Sequence, residues 1–238
     1  MKYWLAACAN LQRAQKLPSA QYLYIGLALL LAVFLGAYVL GAAPPQSQQL
    51  ANTAQGPAPE SSLPLKGGHE WQVWVEGAPL FSVDGSSKDG HYIYHLGGRY
   101  GWILTNVQGS GLLRGQLEYA VDFIPLVAIA QSNETSHGFS FNAFSLKWNF
   151  QPHRRLLPYA YLSGGGLITN HGVPPDSATF NFTCELAGGV HFIRGKNAWS
   201  VGLGVAHISN AGTVHPNSAF NSMQLRVGFG RFTKPHYR

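Results

Sequence analysis

From residue 69 onward the chain alternates apolar and polar residues in short runs. That period of two is the signature of β-strands with one apolar face. Eight such runs lie near 69–80, 91–105, 112–127, 138–150, 157–169, 179–193, 198–209 and 221–232, separated by turn-rich stretches. The sixth is the cleanest, with Phe180, Phe182, Cys184, Leu186, Val190 and Phe192 on one face and Asn181, Thr183, Glu185 and His191 on the other. The third sets Leu117, Tyr119, Val121 and Phe123 against Gln116, Glu118, Ala120 and Asp122. The eighth sets Met223, Leu225, Val227 and Phe229 against Ser222, Gln224, Arg226 and Gly228. In the fourth run the apolar parity shifts between Phe141 and Phe144, which predicts a β-bulge.

Acids and an arginine on the second face point to a polar, packed lumen behind an apolar exterior. The expected fold is all-β: an eight-stranded antiparallel transmembrane β-barrel over residues 69–238, preceded by an N-terminal signal or apolar helix. A soluble lipocalin-like barrel would have the opposite polarity, and alternation alone does not choose between them. Composition favours the membrane form. Only 11% of residues are charged, against about 25% in an ordinary soluble protein, and glycine (28), phenylalanine (13) and tyrosine (11) are plentiful. Three of the six net positive charges, Lys2, Arg13 and Lys16, fall within residues 1–43. The remainder shows no basic stripe, so nucleic acid is not an expected partner.

Residues 23–43 form an uncharged apolar run behind those three cations, ending in Gly41, Ala42 and Ala43. This reads as an export signal, and its length also suits an uncleaved signal anchor. Residues 44–68, rich in Pro, Gln, Ser, Ala and Gly, read as a flexible linker. Leu5-Ala6-Ala7-Cys8 has the form of a lipoprotein cleavage box, but too few residues precede it for an apolar signal core. With Cys8 removed in a signal, Cys184 is alone and no disulfide within the chain is expected.

Candidate chemistry lies at the end of the seventh run. His207 and Ser209 are two apart, so they share a strand face, and that face continues the apolar stripe Trp199, Val201, Leu203 and Val205. In an eight-stranded barrel the connection at 210–220 lies opposite the chain termini, and Asn221 follows it on the same apolar face. Ser209, His207 and Asn221 therefore converge on one outward-facing patch near a rim. A serine hydroxyl needs a base to take its proton, and an imidazole needs an orienting partner, which is sometimes an asparagine. An H-x-S pair in a strand is more often incidental, so spacing alone does not establish catalysis. The ten histidines show no H-E-x-x-H or paired Cys/His spacing, so no metal or other cofactor is expected. The Gly164-Gly165-Gly166 run has no helix after it and reads as close strand packing rather than a phosphate loop.

Residues 70–232 resemble the lipid A deacylases of the PagL type. The sharpest match is His207-x-Ser209-Asn210-Ala211-Gly212 followed by Pro216-Asn217. Supporting matches are Gly115-Gln116-Leu117-Glu118-Tyr119 with Pro125, Lys147-Trp148-Asn149-Phe150, Pro158-Tyr159 and Phe180-Asn181-Phe182. The resemblance implies an eight-stranded outer-membrane barrel that hydrolyses the ester-linked acyl chain at the 3 position of lipid A. By that match Ser209 is the nucleophile and His207 the base, while Asn210, Gly212 and Asn217 fall in the turn associated with the oxyanion site. It further implies lipopolysaccharide as substrate, outer-membrane lipids as surroundings and a site facing the outer leaflet. One departure stands out: well-studied members carry a glutamate where this chain has Asn221. An amide can hold the imidazole in the right tautomer but cannot compensate an imidazolium charge. Two readings follow, a serine esterase and a non-catalytic barrel that keeps the scaffold.

Overall fold

A computed structural model describes residues 64–82, 90–152, 155–175, 177–215 and 218–234. The expected signal or anchor at 1–43, and the expected linker as far as residue 63, lie outside these described residues. The described end of that linker is tied down: Gly67 N–H donates to the Ile103 carbonyl (2.9 Å), and Ile103 N–H donates to the Gly68 carbonyl (3.0 Å).

Eight strands follow: β1 (His69–Ser82), β2 (Gly90–Ile103), β3 (Gly115–Gln131), β4 (Thr135–Phe150), β5 (Leu156–Thr169), β6 (Phe180–Arg194), β7 (Asn197–Ser209) and β8 (Ala219–Thr233). Each pairs antiparallel with the next, and β1 pairs with β8, so the sheet closes into a barrel with no free edge. The start of β1 and the end of β8 share one rim, here the terminal rim. The β7–β8 connection lies at the opposite one.

Polarity is apolar-out. Val75, Phe123, Leu126, Leu225 and Trp199 face outward and are exposed, while Arg99, Asp122, Lys147, Glu118, Glu185 and Arg226 are buried inside. Closure gives every strand one inward and one outward face, and inward charges survive only where they are paired. Arg99 grips Asp122 with two bonds (2.7 and 2.9 Å). Lys147 Nζ donates to Glu70, with Glu118 at 3.5 Å. Arg226 joins Glu76 (2.6 Å) to Glu185 (3.1 Å) and lies 3.9 Å over the Trp74 ring. Toward the rim opposite the termini the lumen turns apolar, filled by Ile93, Ile124, Val127, Ile129, Leu167, Ile208 and Phe220.

The predicted bulge in β4 is present, as a register shift against β5 between Phe141 and Phe144. A second bulge in β3, between Ile124 and Val127, flips the lumen-facing parity from even to odd positions. The expected third run began at 112, but β3 begins at Gly115. Gly111–Leu113 form a 3-10 turn that leaves Leu112 and Leu113 exposed, because their apolar character reflects the rim rather than a strand.

Candidate active site

The site is built where β7 ends and β8 begins. His207 and Ser209 project from the outward face of β7 because Trp199, Val201, Leu203 and Val205 precede them at the same parity. Asn221 enters from β8, where it is the register partner of His207. On the other flank Cys184 and Phe182 of β6 are the register partners of His207 and Ser209. Sheet pairing thus sets Asn221 of β8 and Cys184 of β6 on either side of His207, and Phe182 beside Ser209.

The three polar groups form a line. His207 Nδ1 lies 2.9 Å from Asn221 Oδ1. An amide oxygen only accepts, so Nδ1 carries the proton and donates it to Asn221. His207 Nε2 then presents its lone pair to Ser209 Oγ, 3.1 Å away. Ser209 is only 6% exposed, whereas His207 and Asn221 are half-buried. The hydroxyl is therefore largely dry while the imidazole remains reachable from the surface. This is the arrangement in which an imidazole can take a proton from a serine.

The residues after Ser209 form a tight turn. Ala211 (φ 53°) and Gly212 (φ 79°) are both left-handed, and Thr213 N–H donates to the Asn210 carbonyl (3.1 Å). Two central residues with positive φ define a type I′ turn, which matches the twist of antiparallel strands. Asn210 is fully buried and anchors it. Its amide donates to Ser177 Oγ (3.0 Å) and to the Val214 carbonyl (3.0 Å), and its Oδ1 accepts from Gly212 N–H (2.8 Å). The side-chain donors of Asn210 and the N–H of Gly212 are thus spent inside the loop. They shape the turn rather than point at a substrate. Asn217 lies outside the described residues. Ser177, from the β5–β6 connection, was not a sequence candidate. No motif singles it out, and it enters only because two loops meet at this rim.

Outward of the site the surface is apolar. Phe180 and Phe182 meet edge to face with ring centres 5.1 Å apart. Phe180 lies over Gly166, where an added Cβ would stand 3.1 Å from the ring. Leu225 and Leu186 are exposed on the same side of the wall. The polar line therefore opens onto a surface suited to hydrocarbon.

No curated protein sequence matches the chain significantly. Among solved structures it is similar to the outer membrane enzyme PagL, at 21% identity and a TM-score of 0.51, covering 66% of this chain and 97% of that one. It is also similar to the outer membrane protein OprG from Pseudomonas aeruginosa, at 10% identity and a TM-score of 0.43, covering 71% and 97%. Neisserial surface protein A is similar at 14% identity and a TM-score of 0.43, covering 68% and 96%. These likenesses speak to the fold alone. The family model for lipid A 3-O-deacylase (PagL) matches residues 70–230, which spans every strand of the barrel and both sides of the site. The chain belongs to the lipid A 3-O-deacylase (PagL) family.

Proposed function

We propose that this barrel is an outer-membrane serine esterase that removes the ester-linked acyl chain at the 3 position of lipid A. The observation that carries the reading is the line Ser209 Oγ, His207 Nε2, His207 Nδ1, Asn221 Oδ1 on the apolar, outward face of a family barrel. A serine esterase in a barrel lumen would meet water-soluble esters. One on the outer wall meets lipid.

In this mechanism Ser209 Oγ attacks the ester carbonyl carbon while His207 Nε2 takes the hydroxyl proton. The tetrahedral intermediate collapses, the C–O bond to the sugar breaks, and His207 returns the proton to the leaving sugar hydroxyl. Water, deprotonated by the same imidazole, then attacks the acyl-serine. It releases a free fatty acid and restores Ser209. Asn221 fixes the tautomer that makes Nε2 a base. Asn210 and Gly212 hold the turn beside the nucleophile, where an oxyanion would develop. Asn217 is assigned to the same turn on the strength of the family match. With the β7–β8 connection at the cell exterior, the site faces the outer leaflet, where lipopolysaccharide lies. No cofactor takes part.

Mass spectrometry of lipid A from outer membranes that carry the protein tests this reading. A loss of one hydroxyacyl group is expected with the wild-type chain and not with Ser209→Ala. Unchanged lipid A in the presence of folded wild-type barrel would overturn it. A second reading, a non-catalytic barrel on the same scaffold, is favoured by one observation. The imidazole partner is Asn221, an amide without the negative charge that stabilises an imidazolium.

A further inference from the structure

Every exposed lysine and arginine among the described residues stands at the terminal rim. Lys66 precedes β1, Arg114 closes the β2–β3 connection and Arg155 closes the β4–β5 connection. Arg194 and Lys196 flank the β6–β7 turn, while Arg231 and Lys234 end β8. Counting the two chain ends as one, each of the four connections at this rim carries at least one cation. The charge therefore encircles the barrel instead of forming a patch on one side.

Among the described residues nothing acidic answers it there. Five of the six described acids, Glu70, Glu76, Glu118, Asp122 and Glu185, are buried in the lumen. The sixth, Glu134, is at the opposite rim beside His171 (3.1 Å). Lys66, Arg114, Arg155, Arg194, Lys196 and Arg231 form no ion pair with a described acid.

Two of the cations are aimed by strand parity. Arg194 follows Phe192 by two residues on β6, and Arg231 follows Phe229 by two on β8, so both continue the outward, hydrocarbon-facing rows. Arg231 is the register partner of Trp71, and Asn197 pairs with both arginines. Immediately toward the barrel middle lies a belt of outward aromatics: Trp71, Tyr100, Phe192 and Trp199 are all exposed. Such a belt marks the interface between hydrocarbon and headgroups. Arg114 directly follows Leu112 and Leu113, which are 67% and 72% exposed. Apolar side chains are thus set against lipid and the cation just beyond them, at headgroup depth.

We propose that the terminal rim is a binding surface for anionic phospholipids, whose phosphodiester headgroups are held by this ring of cations. A guanidinium matches two phosphate oxygens at once, and a basic side chain near a membrane surface attracts acidic lipid. A protein partner would need the charge gathered on one side. A ring spread over the whole circumference, with two members on the hydrocarbon-facing rows, fits lipid that approaches from every side. The inference does not depend on catalysis. If the esterase reading also holds, the barrel takes substrate at one rim and is seated by a different lipid class at the other.

The test uses the full chain reconstituted in phosphatidylcholine vesicles containing spin-labelled phosphatidylglycerol or spin-labelled phosphatidylcholine. The motionally restricted fraction reads the lipid held at the barrel wall. Phosphatidylglycerol should be preferred about threefold or more at low salt, with the preference shrinking toward one in molar salt. Arg194→Gln combined with Lys196→Gln and Arg231→Gln should abolish most of it, whereas Glu134→Gln at the other rim should leave it intact. Heat-modifiable gel migration establishes that each variant is folded. Should the triple variant not fold, Lys196→Gln alone, in an exposed turn, should still lower the preference measurably. Equal association of both lipids with the wild-type barrel at low salt overturns the proposal. So does a preference that survives in folded cation variants. Binding of soluble polyphosphate without any lipid preference also overturns it, in favour of a soluble polyanion.

Discussion

In the proposed reaction the chemistry turns on His207, whose two ring nitrogens have different jobs. Nε2 faces Ser209 and Nδ1 faces Asn221. Replacing Asn221 by leucine removes the acceptor at Nδ1 and frees the ring to rotate or change tautomer. Deacylation is then expected to fall by about a hundredfold or more with the barrel intact, as measured by lipid A turnover per folded protein. Asn221→Glu keeps an acceptor and adds the missing charge, so activity should rise by about tenfold. A scaffold-only protein would stay inert in both the wild-type and the Asn221→Glu forms. The pair was legible in the sequence as H-x-S on an apolar stripe. Its partner was legible only by parity across the connection, because a strand pattern gives a face and not a neighbour.

At the scale of turns and strands, the Asn210–Thr213 turn and the bulges decide where the site residues point. Asn210, itself buried beneath an exposed loop, holds three bonds, so Asn210→Ala leaves the Gly212 N–H, Ser177 Oγ and the Val214 carbonyl to find other partners. Local opening should follow, with a cost of about 2 kcal/mol confined to the connection. The expected readout is lost deacylation with unchanged strand content by circular dichroism. The β4 bulge leans onto β5 at Gly165, where an added Cβ would meet the Phe141 carbonyl and Asn142 Cα. Gly165→Val should therefore lower the folded fraction on gels, whereas Gly195→Ala, in a turn with open space, should be tolerated far better despite its positive φ of 63°. The β4 bulge was visible because apolar parity changes at Phe141 and Phe144. The β3 bulge was not, because Ile124, Pro125, Leu126 and Val127 are all apolar and hide the change of face.

For the whole molecule, stability depends on no lumen charge being left without its partner. Arg99→Met leaves Asp122 buried and uncompensated, and should cost about 3–5 kcal/mol in urea unfolding of the detergent-solubilised barrel. Combining it with Asp122→Leu should recover most of that loss, since the isolated charge rather than the missing bond is the main cost. Recovery failing in the double variant would mean that the pair positions the wall, not merely its own charges. The basic residues also acquire meaning only at this scale. Lys66, Arg114, Arg155, Arg194 and Arg231 are scattered along the sequence with no stripe among them, and closure of the barrel sets them in a ring.

By itself the sequence determined the class of fold, the approximate strands and, outside the hidden β3 bulge, which of their residues share a face. Period-two alternation is a local property that pairing preserves. It also determined Ser209 and His207 as neighbours, because two residues on one strand cannot be separated. Tertiary structure decided what stands across from what: Asn221 against His207, Ser177 under Asn210, Lys147 with Glu70 across the lumen. Those contacts depend on register and on barrel closure. Register is set by bulges and turns whose effect accumulates around all eight strands, so no single segment of the sequence contains it.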